Sequence, residues 1–355
     1  MEKVAVESCK SYDEKKVLNA VRDAVKKTEV KINGRKVLIK ANQLSSNSPD
    51  KHVTTHPSVI KAIVEVVREE GGEPYIGDSP GFGKFLDIAE TTGLKGLAQL
   101  VELDEPVKKK VSGKIMKSFQ VSRKLDGFDM IINAPKLKTH ILTTYTGAVK
   151  NLFGCIPGNL KAQMHLRLQD PTVFSEMLLD LYLLIKPELT VMDAVIGMEG
   201  QGPSGGDPKK AGMIIASTDS LALDEAAASA IGIDAPIIRL ARKRGILKEK
   251  RIIGNLNDVK FKPPRQAHVP GFLYWIGRRM LISRPYVMRE KCTGCGTCKS
   301  VCPADAITMN NYPYFDYSKC IRCYCCHEMC PESAVELKQG VIVRMAMVVK
   351  RIFMK

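Results

Sequence analysis

Eight of the eleven cysteines in this 355-residue chain fall in two runs near its C-terminus. The first reads Cys292-x2-Cys295-x2-Cys298-x3-Cys302-Pro303 and the second Cys320-x2-Cys323-x2-Cys326-x3-Cys330-Pro331. Tight Cys-x-x-Cys-x-x-Cys loops let three thiolates converge on one face of an iron–sulfur cube, while the cysteine before the proline points away toward a second cube. The spacing therefore predicts two 4Fe–4S clusters. Zinc also accepts Cys-x2-Cys pairs, but it needs only four thiolates per site from two such pairs. Here each run supplies four cysteines in one stretch closed by proline. Cys325, inside the second run, reads as a bystander thiol.

Residues 284–340 resemble the bacterial-type two-cluster ferredoxins. Each cysteine of the first run has its counterpart 28 positions later, and Ala306-Ile307 recurs as Ala334-Val335, as the internal repeat of that module requires. The resemblance implies that Cys292, Cys295, Cys298 and Cys330 hold one cluster, and that Cys320, Cys323, Cys326 and Cys302 hold the other.

A second group with chemical potential lies far upstream. Lys136, Lys138, His140 and Lys150 share a short segment with Thr139, Thr143, Thr144 and Thr146. Ammonium groups supply charge and hydroxyls supply oriented donors, a combination suited to a phosphate or carboxylate. Lys136, Lys138, His140 and Asp193 are the catalytic candidates, with an aspartate or His140 handling protons. Lys150, Gly202 and Gly205 are candidates for holding a cofactor, since glycine admits a ligand close to backbone; an ordinary turn explains the glycines of 200–206 as well. His52, His56 and His140 can be drawn together around a metal with Asp78 or Asp193, but Pro57 puts the His52-x3-His56 pair in a loop or helix start. Asp219 suits a helix cap or an acid, as Asp224 suits an acid or base. Cys155 suits a nucleophile or proton donor in a redox reaction, but it and Cys9 read as compact buried hydrophobes.

These residues need elements to position them. Val4-Ala-Val6, a helical pattern over about 13–28 and Lys36-Val-Leu-Ile-Lys40 predict strand, helix, strand. Val59, Ile60, Ile63, Val64 and Val67 recur at helical spacing from Pro57 to Gly71-Gly72, and Pro74-Tyr75-Ile76-Gly77 follows as a strand. Met130–Ile132, Leu189–Met192 and Met213–Ala216 are further short apolar runs, with helical patterns at about 171–185 and 221–231. The expected fold is α/β, a mostly parallel sheet with covering helices, plus a small C-terminal α+β ferredoxin-type module. In such sheets ligands gather after the carboxyl ends of strands. That rule singles out Asn42-Gln43, Asp78 to Lys84, Asn133 to His140 and Asp193. Gly77 to Phe85 is no P-loop, because Gly83-Lys84 comes one residue late and Phe85 stands where Ser or Thr should be.

Residues 131–158, together with Asp193 to Gly206 and Ser217-Thr218-Asp219-Ser-Leu-Ala-Leu-Asp224, resemble the uncharacterised DUF362 family, often found fused to ferredoxin modules. The resemblance spans most of residues 1–238 and names no reaction. A more distant likeness to the N-terminal domain of nickel-dependent lactate racemase transfers no ligands.

The net charge of +16 is unevenly spread. Residues 1–238 carry a net +1, residues 239–291 a net +12 and residues 292–355 a net +3. The expected divisions are a large α/β domain over 1–238, a basic connector over 239–283, the two-cluster module over 284–340 and an apolar–basic tail over 341–355. A basic patch beside iron–sulfur clusters suits an acidic redox partner, and a solvated linker face accounts for it equally. The stretch has no identifiable nucleic-acid recognition module, so no specific nucleic-acid partner is expected. Gly271 to Ser283, with the only tryptophan at 275, and Val341 to Lys355 suit peripheral contact with an anionic membrane, the lining of a lipid-like substrate channel, or docking of the module; docking is the expected role. The N-terminus lacks a signal-peptide pattern, and thiolate-held clusters are assembled in reducing compartments, so the expectation is cytoplasmic. The functional expectation is an iron–sulfur redox protein of the ferredoxin-type oxidoreductase kind, relaying electrons to or from a substrate or cofactor site in the large domain. The alternative is a non-catalytic electron carrier or adaptor that docks an acidic redox partner.

Overall fold

The computed structural model describes residues 1–81, 83–264 and 283–338. Most of the expected docking segment 271–283, and the whole tail 341–355, lie outside the described residues.

The large unit begins β1 (Glu2–Ser8), α1 (Glu14–Thr28), β2 (Lys36–Lys40), α2 (Pro57–Glu69), β3 (Glu73–Asp78), α3 (Phe85–Thr91) and β4 (Gln99–Glu102). A hairpin of β5 (Pro106–Lys110) and β6 (Ser118–Ser122) leads to β7 (Met130–Asn133), β8 (Lys136–His140) and β9 (Thr144–Thr146). Then come α4 (Ala148–Asn151), α5 (Gly158–Arg167), α6 (Pro171–Ile185), β10 (Leu189–Glu199), β11 (Asp207–Ser217), α7 (Ser220–Ala230), α8 (Pro236–Lys243) and β12 (Lys250–Gly254).

The main sheet runs in the order β12-β1-β11-β10-β7-β2-β3-β4, with β8 branching from β10 and β9 from β8. Pairing is parallel throughout β10-β7-β2-β3-β4 and at β1-β12 and β8-β10; β11 and β9 pair antiparallel with their neighbours. The strand period of two distributes the apolar residues between faces: Leu38, Met192 and Ile215 enter one core, Val37, Ile39, Val191 and Ile214 the other. The first core is closed by α6, α7 and α8, the second by α1 and α2. Helix starts follow the sequence signals. Asp13 accepts the Lys16 N–H at 3.0 Å to start α1, and Asp219 accepts those of Leu221 and Ala222 at 2.9 Å to start α7.

Three expectations are corrected in detail. The segment after Ile132 is not a loop: Pro135 interrupts the strand, and the chain resumes as β8, which is buried over its whole length and pairs with β10 instead of continuing β7. Asp193 lies inside an eleven-residue strand, not after one. Residues 236–264 are woven into the large unit: β12 is the sheet's edge partner of β1, and Ile237, Ile238, Ala241 and Phe261 belong to its core. Several basic residues of this stretch are paired with acids of the same unit. Arg242 reaches Glu225 at 2.6 Å, Arg244 reaches Asp180 at 2.8 Å and Lys248 reaches Glu2 at 2.8 Å, while Arg239 pairs with Asp234 and Lys250 with Glu225.

The C-terminal module contains two antiparallel pairs, β13 (Arg284–Val287) with β16 (Val335–Lys338) and β14 (Ile307–Asn310) with β15 (Tyr312–Phe315). One-turn helices at Thr297–Ser300 and Cys325–Glu328 carry cysteines of the two runs. Among the described residues no helix is long and apolar enough to cross a membrane.

Candidate functional site

A cavity of about 470 Å³ opens where the carboxyl ends of β2 and β3 meet β8, α5 and the module. Four lysines line it: Lys40, Lys138, Lys150 and Lys161. Lys40 ends β2 and Asp78 ends β3, and their side chains form a buried pair at 2.8 Å. Asp78 also accepts the backbone N–H of Gln43 at 2.8 Å and of Ser79 at 2.7 Å. Only glycine fits at position 154 beside this pair, because a Cβ there would stand 2.4 Å from Asp78 Oδ1 and 2.5 Å from Lys40 Nζ.

Lys138 donates to Val53 O at 2.7 Å and to Asn42 Oδ1 at 3.0 Å, both neutral acceptors. Burial, with the positive charges of Lys150 and Lys136, lowers its ammonium to about 7. Lys161 donates to Ser79 O, and burial brings it to about 7 as well. Lys150 makes no hydrogen bond or ion pair among the described residues, and burial lowers it too.

The module supplies the facing wall through Val301, Cys325, Glu328 and Met329. His140 is fully buried, with Nδ1 accepting the backbone N–H groups of Leu142 at 3.0 Å and Thr143 at 3.3 Å. That leaves the proton of the neutral ring on Nε2, which stands 3.2 Å from Glu328 Oε1 without the alignment of a hydrogen bond. Burial lowers His140 to about 4. Burial alone would raise the Glu328 carboxyl, but His140, Lys150 and His165 around it bring it well below the usual carboxylate range.

Lys136 and Asp193 are elsewhere. Their side chains meet at 2.8 Å, Lys136 Nζ also lies 2.6 Å from Tyr12 Oη, and Tyr12 donates to Asp193 Oδ1 at 2.9 Å. The His56 N–H adds a bond to Asp193 Oδ2 at 3.0 Å, and its ring stacks on Tyr12 with centroids 3.7 Å apart. This network is closed and borders no part of the cavity. His52 and His56 thus gather round Tyr12, while His140 faces Glu328.

The glycines at 202 and 205 approach protein, not ligand. A Cβ at 202 would stand 2.2 Å from Thr139 O, and one at 205 would stand 2.7 Å from His327 Cε1. The loop docks the module: Ser204 Oγ donates to Glu328 O at 2.8 Å, and His327 Nε2 lies 3.3 Å from Gln201 O. Cys155 is buried beside the Lys40–Asp78 pair, its thiol pushed up to about 11 by burial. Asp224 accepts Tyr145 Oη at 2.9 Å and the Ala148 and Val149 N–H groups, which anchors the start of α4.

Within the module the cysteines sort into two small pockets. One is lined by Cys292, Cys295, Cys298 and Cys330, the other by Cys302, Cys320, Cys323 and Cys326. The repeat extends to the sulfur contacts: the Ala306 N–H donates to Cys302 Sγ at 3.3 Å and the Ala334 N–H to Cys330 Sγ at 3.2 Å. Four thiols per pocket, with backbone donors to the sulfurs, fit a thiolate-held cluster.

The fold and its pockets define a class, an α/β unit with a two-cluster iron–sulfur module docked across its cavity. The pattern of the 4Fe-4S binding domain matches residues 285–308 and 313–336, so the protein is an iron–sulfur electron-transfer protein with two 4Fe–4S clusters. The pattern of the domain of unknown function DUF362 matches residues 37–229, more than half of the chain, and the chain belongs to that family. The thylakoid-associated protein sll1697 of Synechocystis sp. is 39% identical over 198 residues, covering 54% of this chain and 61% of that protein, less than two thirds of its length. Among solved structures, the lactate racemase apoprotein from Thermoanaerobacterium thermosaccharolyticum overlays with a TM-score of 0.42 at 10% identity, covering 62% of this chain and 54% of that one.

Lys40, Lys161, Glu328 and His165 are site residues that the sequence did not single out. Lys40 alone carried a signal, as the charged last residue of an otherwise apolar strand.

Proposed function

We propose that the chain passes electrons between its two clusters and an anionic molecule held in the lysine-lined cavity. One observation carries this reading: the single helical turn Cys325–Glu328 is shared, with Cys326 lining the second cysteine pocket while Cys325 and Glu328 line the cavity. In this reading Cys292, Cys295, Cys298 and Cys330 hold one cluster, and Cys302, Cys320, Cys323 and Cys326 the one nearer the cavity. When bound, such clusters supply single electrons at potentials from about −700 to +450 mV. Lys138, Lys150 and Lys161 hold the anion, and ammonium groups near 7 exchange a proton readily at neutral pH. Lys136 and Asp193 act as positioning residues that fix β8, and His140 stands against Glu328.

The test uses full-length protein purified without oxygen, expected to hold about eight iron atoms per chain. Small molecules released on denaturation are identified by mass spectrometry, for the parent and for a Lys138→Met/Lys150→Met double variant. The proposal expects a bound anion whose yield falls about tenfold or more in the variant while both cluster signals persist in electron paramagnetic resonance. If the variant passes electrons to a redox partner as fast as the parent and neither retains an anion, the chain is a carrier that docks partners, and the cavity plays no part.

A further inference from the structure

Three amide side chains line the cavity, and they differ in one respect. Asn42 and Asn151 are satisfied by the protein: Asn42 Oδ1 accepts from Lys138, Asn42 Nδ2 donates to Asn151 Oδ1 at 3.0 Å, and Asn151 Nδ2 donates to Asn133 Oδ1 at 2.7 Å. Gln43 is only 2% exposed, lines the same cavity, and neither Nε2 nor Oε1 has a partner among the described residues. Its backbone is pinned by the Gln43 N–H bond to Asp78 Oδ2. The side chain is therefore anchored at one end and uncommitted at the other.

A buried, unpaired amide is costly, and native proteins keep very few of them without a reason. An amide edge offers one acceptor and one pair of donors side by side. Its full complement is a second edge of the same kind, a ring N–H next to a carbonyl, which forms two parallel hydrogen bonds with it. Nearby, Leu44, Val301 and Met329 give the cavity an apolar side against which a flat ring can lie. Lys138 and Lys150 line the same cavity.

We infer that the cavity takes an anionic heterocycle with a lactam or imide edge, the edge read by Gln43 and the phosphate or carboxylate held by Lys138 and Lys150. The inference rests on the reading of the cavity as an anion site and adds to it the second half of the ligand. The anion alone would satisfy the lysines and leave Gln43 unpaired; a neutral heterocycle would do the reverse.

Isothermal titration of the full-length, cluster-loaded protein without oxygen tests this with two matched pairs of probes. Uridine 5′-monophosphate is set against ribose 5-phosphate, and orotate against benzoate; each first member joins the anion to an imide edge, and each second member lacks the edge. The expected result is at least about tenfold tighter binding of the imide-bearing member in at least one pair, since a site built to pair polar edges rejects a ligand without them. Whichever pair responds identifies phosphate or carboxylate as the anion. Gln43→Met should erase the preference without weakening the edge-free member, and Lys150→Met should weaken both members of the pair equally. Equal binding of both members by the parent, or a preference that survives Gln43→Met, overturns the inference and leaves the anion site standing. Binding of none of the four probes overturns both.

Discussion

Lys136 and Lys138 stand two residues apart on β8 and are both 1% exposed, yet their surroundings are opposite. Lys136 meets a carboxylate, a phenol and no cavity, so its charge is cancelled by Asp193 at 2.8 Å. Lys138 meets two neutral oxygens, and its nearest charges include Lys150 and Lys136. Among the described residues around the cavity, four lysines stand against Asp78 and Glu328. A buried lysine by itself marks nothing; a buried lysine whose charge the fold leaves uncancelled is what supports the proposed anion site.

The sharpest way to break this comparison is to remove the cancelling carboxylate. Asp193→Ala should cost about 3–5 kcal/mol in denaturant unfolding, because it strands Lys136 as an unpaired buried charge. A loss below 1 kcal/mol would mean that the two lysines are not different in kind. Lys138→Met comes next. It should weaken binding of the cavity's anion by about 1.5–3 kcal/mol, the usual worth of a charged hydrogen bond, while unfolding shows a smaller loss than Asp193→Ala. Titration of binding against pH is gentler. With Lys138 and Lys161 near 7, anion affinity should fall above that value by at most about tenfold per pH unit for each of the two ammonium groups that loses its proton. Stability should move the other way. Between about 7 and the ordinary lysine value of 10.5 the unfolded chain binds protons that the native chain does not, so stability rises with pH across that window. Lys136, Lys150, Glu328 and Asp193 are the charged neighbours that set the size of this effect on Lys138. The smallest effect belongs to Lys150→Met. With no partner to strand, it should leave stability within about 1 kcal/mol of the parent or raise it, and still weaken the anion.

The cysteine runs were legible because cluster ligation is written in local spacing, and the structure sorts the eight thiols into two pockets of four. The α/β rhythm was legible for the same reason: Val37 to Ile39 and Val59 to Val67 announce their periods within a few residues. The cations of 136–150 were visible as a group, but their division was not. Whether a lysine on β8 faces Asp193 or Asn42 depends on the break at Pro135 and on pairing with β10, a strand more than fifty residues away. Lys40, Asp78, Lys161 and Glu328 come from four distant parts of the chain and converge only through the order of the sheet and the docking of the module. The glycines near 202 suggested a ligand because close approach was legible, whereas the identity of what approaches was not. The pairing of several basic residues after 238 was hidden for a related reason: their partners Glu2, Asp180 and Glu225 lie in other elements.

The bond from Ser204 to the carbonyl of Glu328 makes one wall of the cavity a removable part. Short cysteine-bound modules commonly fold as they take up metal, so in the proposed reading the turn Cys325–Glu328 is expected to be fixed when the second cysteine set is filled. In that reading loading is expected to have an order, with iron and sulfide first and the proposed anion afterwards. An occupant touching both walls also acts as a rivet, and holds the module to the large unit by RT ln(1 + [L]/Kd).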